Sequence, residues 1–210
     1  MSETMDLLPG LKQFRMDGQV AIVTGGSKGL GLAIAQGLAS AGASIMVVGR
    51  NLDLASEAAE SIAKEYAVET EAIGVDVTSE LDCCGMAVTA QKRFGRIDIL
   101  VNSAGINLRG PIDQLSLADF QSVMATNVTG TWLTTRAVVP TMKEQRYGRI
   151  VNLASTLGLV GLANRTPYAS SKGAVVQMTR TLAMELAEFD ITCNAICPGP
   201  FLTEMNIPIA

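Results

Sequence analysis

The sequence predicts an α/β protein, a doubly wound parallel sheet with helices on both faces, folded as a single domain. Three observations predict it. Short apolar runs alternate with helix-like segments about five times and end on a sixth run. The runs are apolar nearly throughout, as strands covered on both faces must be. A glycine-rich turn, "TGGSKGLG", separates the first run from the first helical segment. Sheets of this class bind ligands beyond the carboxyl ends of their strands, near the point where strand order reverses.

The elements follow in chain order. Residues 19–24 ("QVAIVT") read as a buried strand, and residues 30–41 as a helix ended by Gly42. Residues 44–48 ("SIMVV") are a strand; residues 52–66 are a helix with a charged outer face. Residues 71–77 are a strand and residues 80–94 a helix. Residues 97–102 ("IDILVN") are a strand, followed by one long helical stretch from Ser116 to about Glu144. Residues 149–154 are a strand, 166–188 a helix and 191–196 a strand. Right-handed crossovers turn this alternation into a doubly wound sheet. Residues 17–210 are read as one dinucleotide-binding and catalytic domain, preceded by an N-terminal extension, residues 1–16.

Composition excludes several classes of function. The 210 residues carry a formal charge of −4, without a dense basic cluster; nucleic acid and anionic membrane surfaces are not expected partners. Residues 29–49 contain no charge, a length that could span a bilayer. Gln36, two serines and five glycines interrupt that stretch, so it divides into a helix and a strand. The first 17 residues include Glu3, Asp6, Lys12, Arg15 and Asp17 and do not read as a signal peptide. The chain contains no histidine, and Cys83, Cys84, Cys193 and Cys197 form no CxxC pair. Reduced thiols, no metal site and a cytoplasmic location are the expectation.

The glycine turn suits a dinucleotide. Gly25, Ser27, Lys28, Gly29, Leu30 and Gly31 follow a strand and open a helix, where backbone amides and the helix N-terminus can receive a pyrophosphate. The second strand ends on Val48-Gly-Arg-Asn51, with Arg50 where an acidic residue would favour NAD. With Lys28 it favours NADP(H) over NAD(H), Arg50 and Asn51 lying at the adenosine ribose. Asp76 and Val77 follow the third strand. Asp76 reads either as an acceptor for adenine or as a turn aspartate. Asn102, Ala104 and Gly105 follow the fourth strand, where small residues leave room for a ring or ribose.

With no imidazole, acid–base chemistry must use another group. Tyr168 and Lys172, in "YASSK", are one helical turn apart and share a face. Ser155 closes the fifth strand. An unperturbed phenol, with a pKa near ~10, is a poor base at neutral pH; lowering it by ~3 units needs about 4 kcal/mol. One cation at ~4 Å in a medium of effective dielectric ~20 is worth about that much. Lys172, with an oxidised nicotinamide, is the expected source of that charge, Ser155 the hydrogen-bond donor to substrate, and Tyr168 the group that exchanges the proton.

TGGSKGLG, NSAG, Asn127 in "ATNVTGTW", Ser155, YASSK and Cys197-Pro-Gly199 occur in the order and spacing of the short-chain dehydrogenase/reductase family. The resemblance covers residues 17–205. It is closest in look to gluconate 5-dehydrogenase-like members and then to 3-oxoacyl-carrier-protein reductases. It implies a Rossmann-type fold, a nicotinamide cofactor, and a catalytic tetrad of Asn127, Ser155, Tyr168 and Lys172, with Asn127 helping to hold a water in a proton relay. It also implies that Tyr168 and Lys172 contact the nicotinamide ribose and that Pro198, Gly199 and Thr203 contact the nicotinamide end. The implied activity interconverts a secondary alcohol and a ketone, in a homo-oligomer, dimer or tetramer, on a sugar acid, polyol or 3-oxoacyl substrate. Two departures stand out. Ser103 replaces a frequent asparagine, and the family's usual C-terminal lid and seventh strand have no counterpart here. A non-catalytic dinucleotide-binding or scaffolding protein is the alternative. Epimerase or dehydratase chemistry on nucleotide sugars is a third reading, weakened by the glycine spacing. Asn107, Arg109, Leu157, Asn164, Arg165 and Met205 are candidates to line a substrate pocket, and either arginine could receive a carboxylate.

Overall fold

The computed structural model describes residues 9–201. A short helix α1 (Pro9–Lys12) precedes strand β1 (Val20–Thr24), helix α2 (Gly29–Ser40), strand β2 (Ser44–Gly49) and helix α3 (Leu52–Tyr66). Then come β3 (Thr70–Gly74), α4 (Glu80–Phe94), β4 (Ile99–Asn102), α5 (Leu117–Met124), α6 (Gly130–Gln145), β5 (Gly148–Leu153), α7 (Thr166–Leu186) and β6 (Ile191–Ile196). The sheet has six strands in the order β3-β2-β1-β4-β5-β6, and every pairing is parallel. The order reverses between β1 and β4, so the crevice for a ligand opens above Thr24 and Asn102.

Two-residue alternation sorts each strand between two cores. Ile22, Met46, Leu100 and Ile150 pack on one face against Met86 and Ala90 of α4, Val138 and Met142 of α6, and Leu186 of α7. Ala21, Val23, Ile45, Val47, Ile99 and Val101 face the opposite side, against Ala35 and Ala39 of α2 and Ala55, Ala58, Ala59 and Ile62 of α3. The alanines let α2 and α3 lie close on the sheet. Asn51 and Ser79 cap α3 and α4, while Ser116 and Asp119 close a capping box on α5.

The expected helix from Ser116 to Glu144 is interrupted. Residues Ala125–Thr129 form a π-helical turn between α5 and α6. The hydroxyls of Thr131, Thr134 and Thr135 donate to the carbonyls of Asn127, Gly130 and Thr131, four residues back, a competition that distorts helices. The third strand ends three residues earlier than expected. Val77 lies beyond it, its side chain against Gly130, where an added Cβ would come within 2.7 Å of Val77 Cγ2. Among the described residues, no helix is long and apolar enough to cross a membrane.

Candidate active site

The glycine turn is built by close approach. Gly25 takes a φ of 64°, and a Cβ on Gly31 would stand 2.1 Å from the Gly25 carbonyl oxygen. The start of α2 is thus pressed onto the turn, which larger residues would prevent. Lys28 gives α2 no side-chain cap, and the first turn holds no acid. The leading amides are thereby open to an anion such as a pyrophosphate. Thr24 ties this turn to the loop after β4: its hydroxyl accepts from Ser103 N at 3.1 Å and Ala104 N at 3.2 Å. Sequence reasoning passed over Thr24, whose signal was a hydroxyl at the strand end just before Gly-Gly.

The adenosine side is mixed. Lys28, Arg50 and Asn51 are exposed beside the crevice. Asn51 accepts from Leu54 N at 3.1 Å and so caps α3. Asp76 Oδ1 accepts from Thr78 N at 2.9 Å and Thr78 Oγ1 at 2.7 Å. Those bonds, with a smaller contribution from Arg50, hold its carboxyl below the usual range. Asp76 thus has the hydrogen bonds of a turn aspartate, the second of its two sequence readings. Ser27 lies against Gly49, and Leu30 follows Gly29 into the first turn of α2.

Asn102 departs from expectation. Its side chain points into the interior, donating to Asn152 Oδ1 at 2.9 Å and Thr135 Oγ1 at 3.1 Å, and accepting from Thr134 Oγ1 at 2.6 Å. The side chain therefore joins β4 to β5 and α6, leaving only its backbone to border the crevice. Ala104 and Gly105 continue the crevice wall; a Cβ on Gly105 would lie 3.2 Å from Asn127 Oδ1 and 3.7 Å from Lys172 Nζ.

Asn127, Ser155, Tyr168 and Lys172 converge beside that wall. Asn127, 1 % exposed, accepts from Ile106 N at 2.8 Å and donates to Ile106 O at 3.0 Å and to Ser171 Oγ at 2.9 Å. Ser171 in turn donates to the Tyr168 carbonyl at 2.7 Å. Asn127 is thereby fastened through its side chain to both the β4 loop and α7. Ser171 and Gly158 are further residues that sequence reasoning missed. A Cβ on Gly158 would lie 2.8 Å from the Lys172 carbonyl group, so the turn after Ser155 rests directly on α7. Ser155 Oγ accepts from Leu157 N at 3.2 Å within that turn, and Ser155 lies on the Tyr168 side of it, where it opposes the effect of burial on the phenol.

Lys172 Nζ donates to Leu153 O at 2.5 Å and lies 5.6 Å from the Tyr168 ring centroid. Burial lowers its pKa from 10.5 to about 8, opposed by nearby Cys197. Burial raises the Tyr168 pKa above its ordinary value, and the opposing influences are Ser155 and Arg109. Pro198 is tied to the turn after Ser155, since Thr156 N donates to Pro198 O at 3.0 Å; Gly199 is exposed. Thr203 and Met205 lie outside the described residues. A groove of about 590 Å³ runs beside Tyr147, Asp190 and Asn194, at the starts of β5 and β6. It lies at the opposite end of these strands from Tyr168 and contains none of the four converging residues.

The family model "short chain dehydrogenase" matches residues 19–210. The chain belongs to the short-chain dehydrogenase/reductase family. A curated relative, the 3-oxoacyl-[acyl-carrier-protein] reductase of Aquifex aeolicus, is 36 % identical over 194 residues, covering 92 % of this chain and 78 % of the relative. Among solved structures, a gluconate 5-dehydrogenase from Burkholderia cenocepacia in complex with NADP and tartrate superposes with a TM-score of 0.92. It is 34 % identical, over 95 % of this chain and 78 % of that one. An NAD+-bound xylitol dehydrogenase gives a TM-score of 0.85 at 38 % identity, over 87 % of this chain and 70 % of that one. This short-chain dehydrogenase is accordingly an NAD(P)-dependent oxidoreductase, with the expected Rossmann-type fold.

Proposed function

We propose that the protein interconverts a secondary alcohol and a ketone with NADP(H), Tyr168 being the acid and base. The observation that carries this reading is Tyr168 one helical turn from the buried Lys172, whose Nζ lies 5.6 Å from the phenol ring centroid, with Ser155 just beyond the end of β5. Bound NADP(H) supplies the hydride chemistry. The chain supplies the proton: Tyr168 gives it to the carbonyl oxygen in reduction and takes it from the hydroxyl in oxidation. Ser155 hydrogen-bonds the same oxygen. Lys172, held by Leu153 O, and Asn127, held by Ile106 and Ser171, keep α7 and the β4 loop in register around the proton path. The proposed substrate classes are a sugar acid, a polyol or a 3-oxoacyl compound.

The NADP(H) preference rests on Lys28 and Arg50, two cations flanking the crevice without an acidic residue at the end of β2. The glycine turn, Arg50, Asn51, Asp76, Val77, the Asn102 backbone, Ala104, Gly105, Pro198, Gly199 and Thr203 are the proposed cofactor contacts. Leu117, Phe120 and Trp132 leave apolar surface exposed on α5 and α6, which supports a homo-oligomer, dimer or tetramer. A cytoplasmic location is proposed with it.

The test is a panel of 3-oxoacyl thioesters, keto sugar acids and ketoses, each supplied with NADPH and with NADH. Turnover on at least one class with a lower Michaelis constant for NADPH is expected. A preference for NADH overturns the cofactor assignment. Tight NADPH binding without turnover on any class favours the non-catalytic alternative.

A further inference from the structure

Two loops that are distant in sequence cross beside Tyr168. Residues 103–110 leave the end of β4, and residues 159–165 lead into α7. They are joined where Gly110 N donates to Asn164 O at 3.2 Å. Asn164 takes a left-handed φ of 62°, and Arg165 then occupies the N-cap of α7, three residues before Tyr168. This crossing gathers Arg109 and Arg165, the two arginines the sequence offers as candidates to line a substrate pocket. Arg109 and Arg165 are both half-buried; burial first, and Arg109 after it, lowers the Arg165 pKa, and Arg109 is the lesser of two influences opposing the burial that raises the Tyr168 pKa. The same loop carries Asn107 Oδ1, buried without a hydrogen-bond partner among the described residues. A buried acceptor of this kind is open to a donor from a bound ligand.

Resting on the reading of Tyr168 as acid and base, we propose that Arg109 and Arg165 together receive an anionic group of the substrate. The substrate is then a short keto acid or hydroxy acid rather than a neutral polyol. Paired guanidiniums suit a carboxylate because their planar donor forks match its two oxygens. Asn107 Oδ1 is placed to accept from a hydroxyl of the same molecule.

The experiment compares a 3-oxo acid with its ethyl ester, using the full chain with NADPH. Charge-assisted hydrogen bonds predict that kcat/KM for the acid exceeds that for the ester by about 10–100-fold. In the R109Q/R165Q double variant that ratio falls to within about threefold, whatever general activity the substitutions cost. Arg165→Lys keeps part of the preference, since it retains charge without the fork. Wild-type protein that reduces ester and acid equally well, or a preference that survives both substitutions, overturns the proposal. A second arm needs no turnover. Malonate, but not malonamide, should raise the melting temperature of the NADPH-bound wild type and not of the double variant; an absent or unselective shift overturns the anion site. Selective malonate binding without turnover would sink the oxidoreductase reading while keeping the anion site. Turnover of neutral ketones without charge preference would do the reverse.

Discussion

Tyr168 and Lys172 are adjacent on one helix face, yet burial moves them in opposite directions. Each is driven toward its neutral form, the phenol upward and the ammonium downward. A phenol that stays protonated at neutral pH is ready to donate, so reduction of a ketone should vary little with pH through neutrality. Oxidation of the alcohol should accelerate as pH rises and the phenol ionises; steady-state rates in both directions check this. Lys172 also links stability to pH. Its folded pKa of about 8 lies below the ordinary 10.5. Below about pH 8 both folded and unfolded chains hold the proton, and the cost of burying the charge is fully present. Between the two values only the unfolded chain holds it, so stability rises with pH. The change amounts to about 3 kcal/mol. Urea unfolding of wild type and Lys172→Met should show the variant more stable at pH 7, with the gap closing toward pH 10.5.

Among the elements, the turn that carries Ser155 is positioned by contact with α7. Gly158→Ala should push that turn off the helix, because its Cβ would come within 2.8 Å of the Lys172 carbonyl group. A fall in kcat of about 10- to 100-fold is expected, since small misplacements of reacting groups cost that much. NADPH affinity, measured by fluorescence titration, should change little. Gly31→Ala should do the opposite: its Cβ collides with the Gly25 carbonyl, so NADPH affinity falls before turnover on saturating cofactor does. Strands and helices were legible from the sequence because each carries its own period. The π turn was not, because what it serves is far away in the chain: Asn127 bonds Ile106 and Ser171. The same holds for Thr24, whose partners are Ser103 and Ala104. Asn102 ends β4, the strand end at which its place in the sequence puts it. Its side-chain direction depended on Asn152, Thr134 and Thr135, which no local pattern announces.

Across the molecule, one end of the sheet is specialised for chemistry and the other for stability. At the latter, Asp98 is fully buried beneath β1 and β4. Its carboxylate accepts from Val20 N at 2.9 Å and from two Arg96 nitrogens at 2.7 and 2.8 Å. Asp98→Ala should lower unfolding stability by about 1–3 kcal/mol, the cost of an orphaned buried donor, without altering the NADPH dissociation constant. Burial, opposed by Ser155 and Arg109, sets the ionisation of Tyr168, the group proposed to exchange the proton. The most direct measurement of the account is ketone-dependent NADPH oxidation by wild type and Tyr168→Phe, alongside their NADPH dissociation constants. The account predicts a loss of turnover of about 10²–10⁴-fold with cofactor affinity retained. Turnover by the phenylalanine variant at the wild-type rate would contradict it.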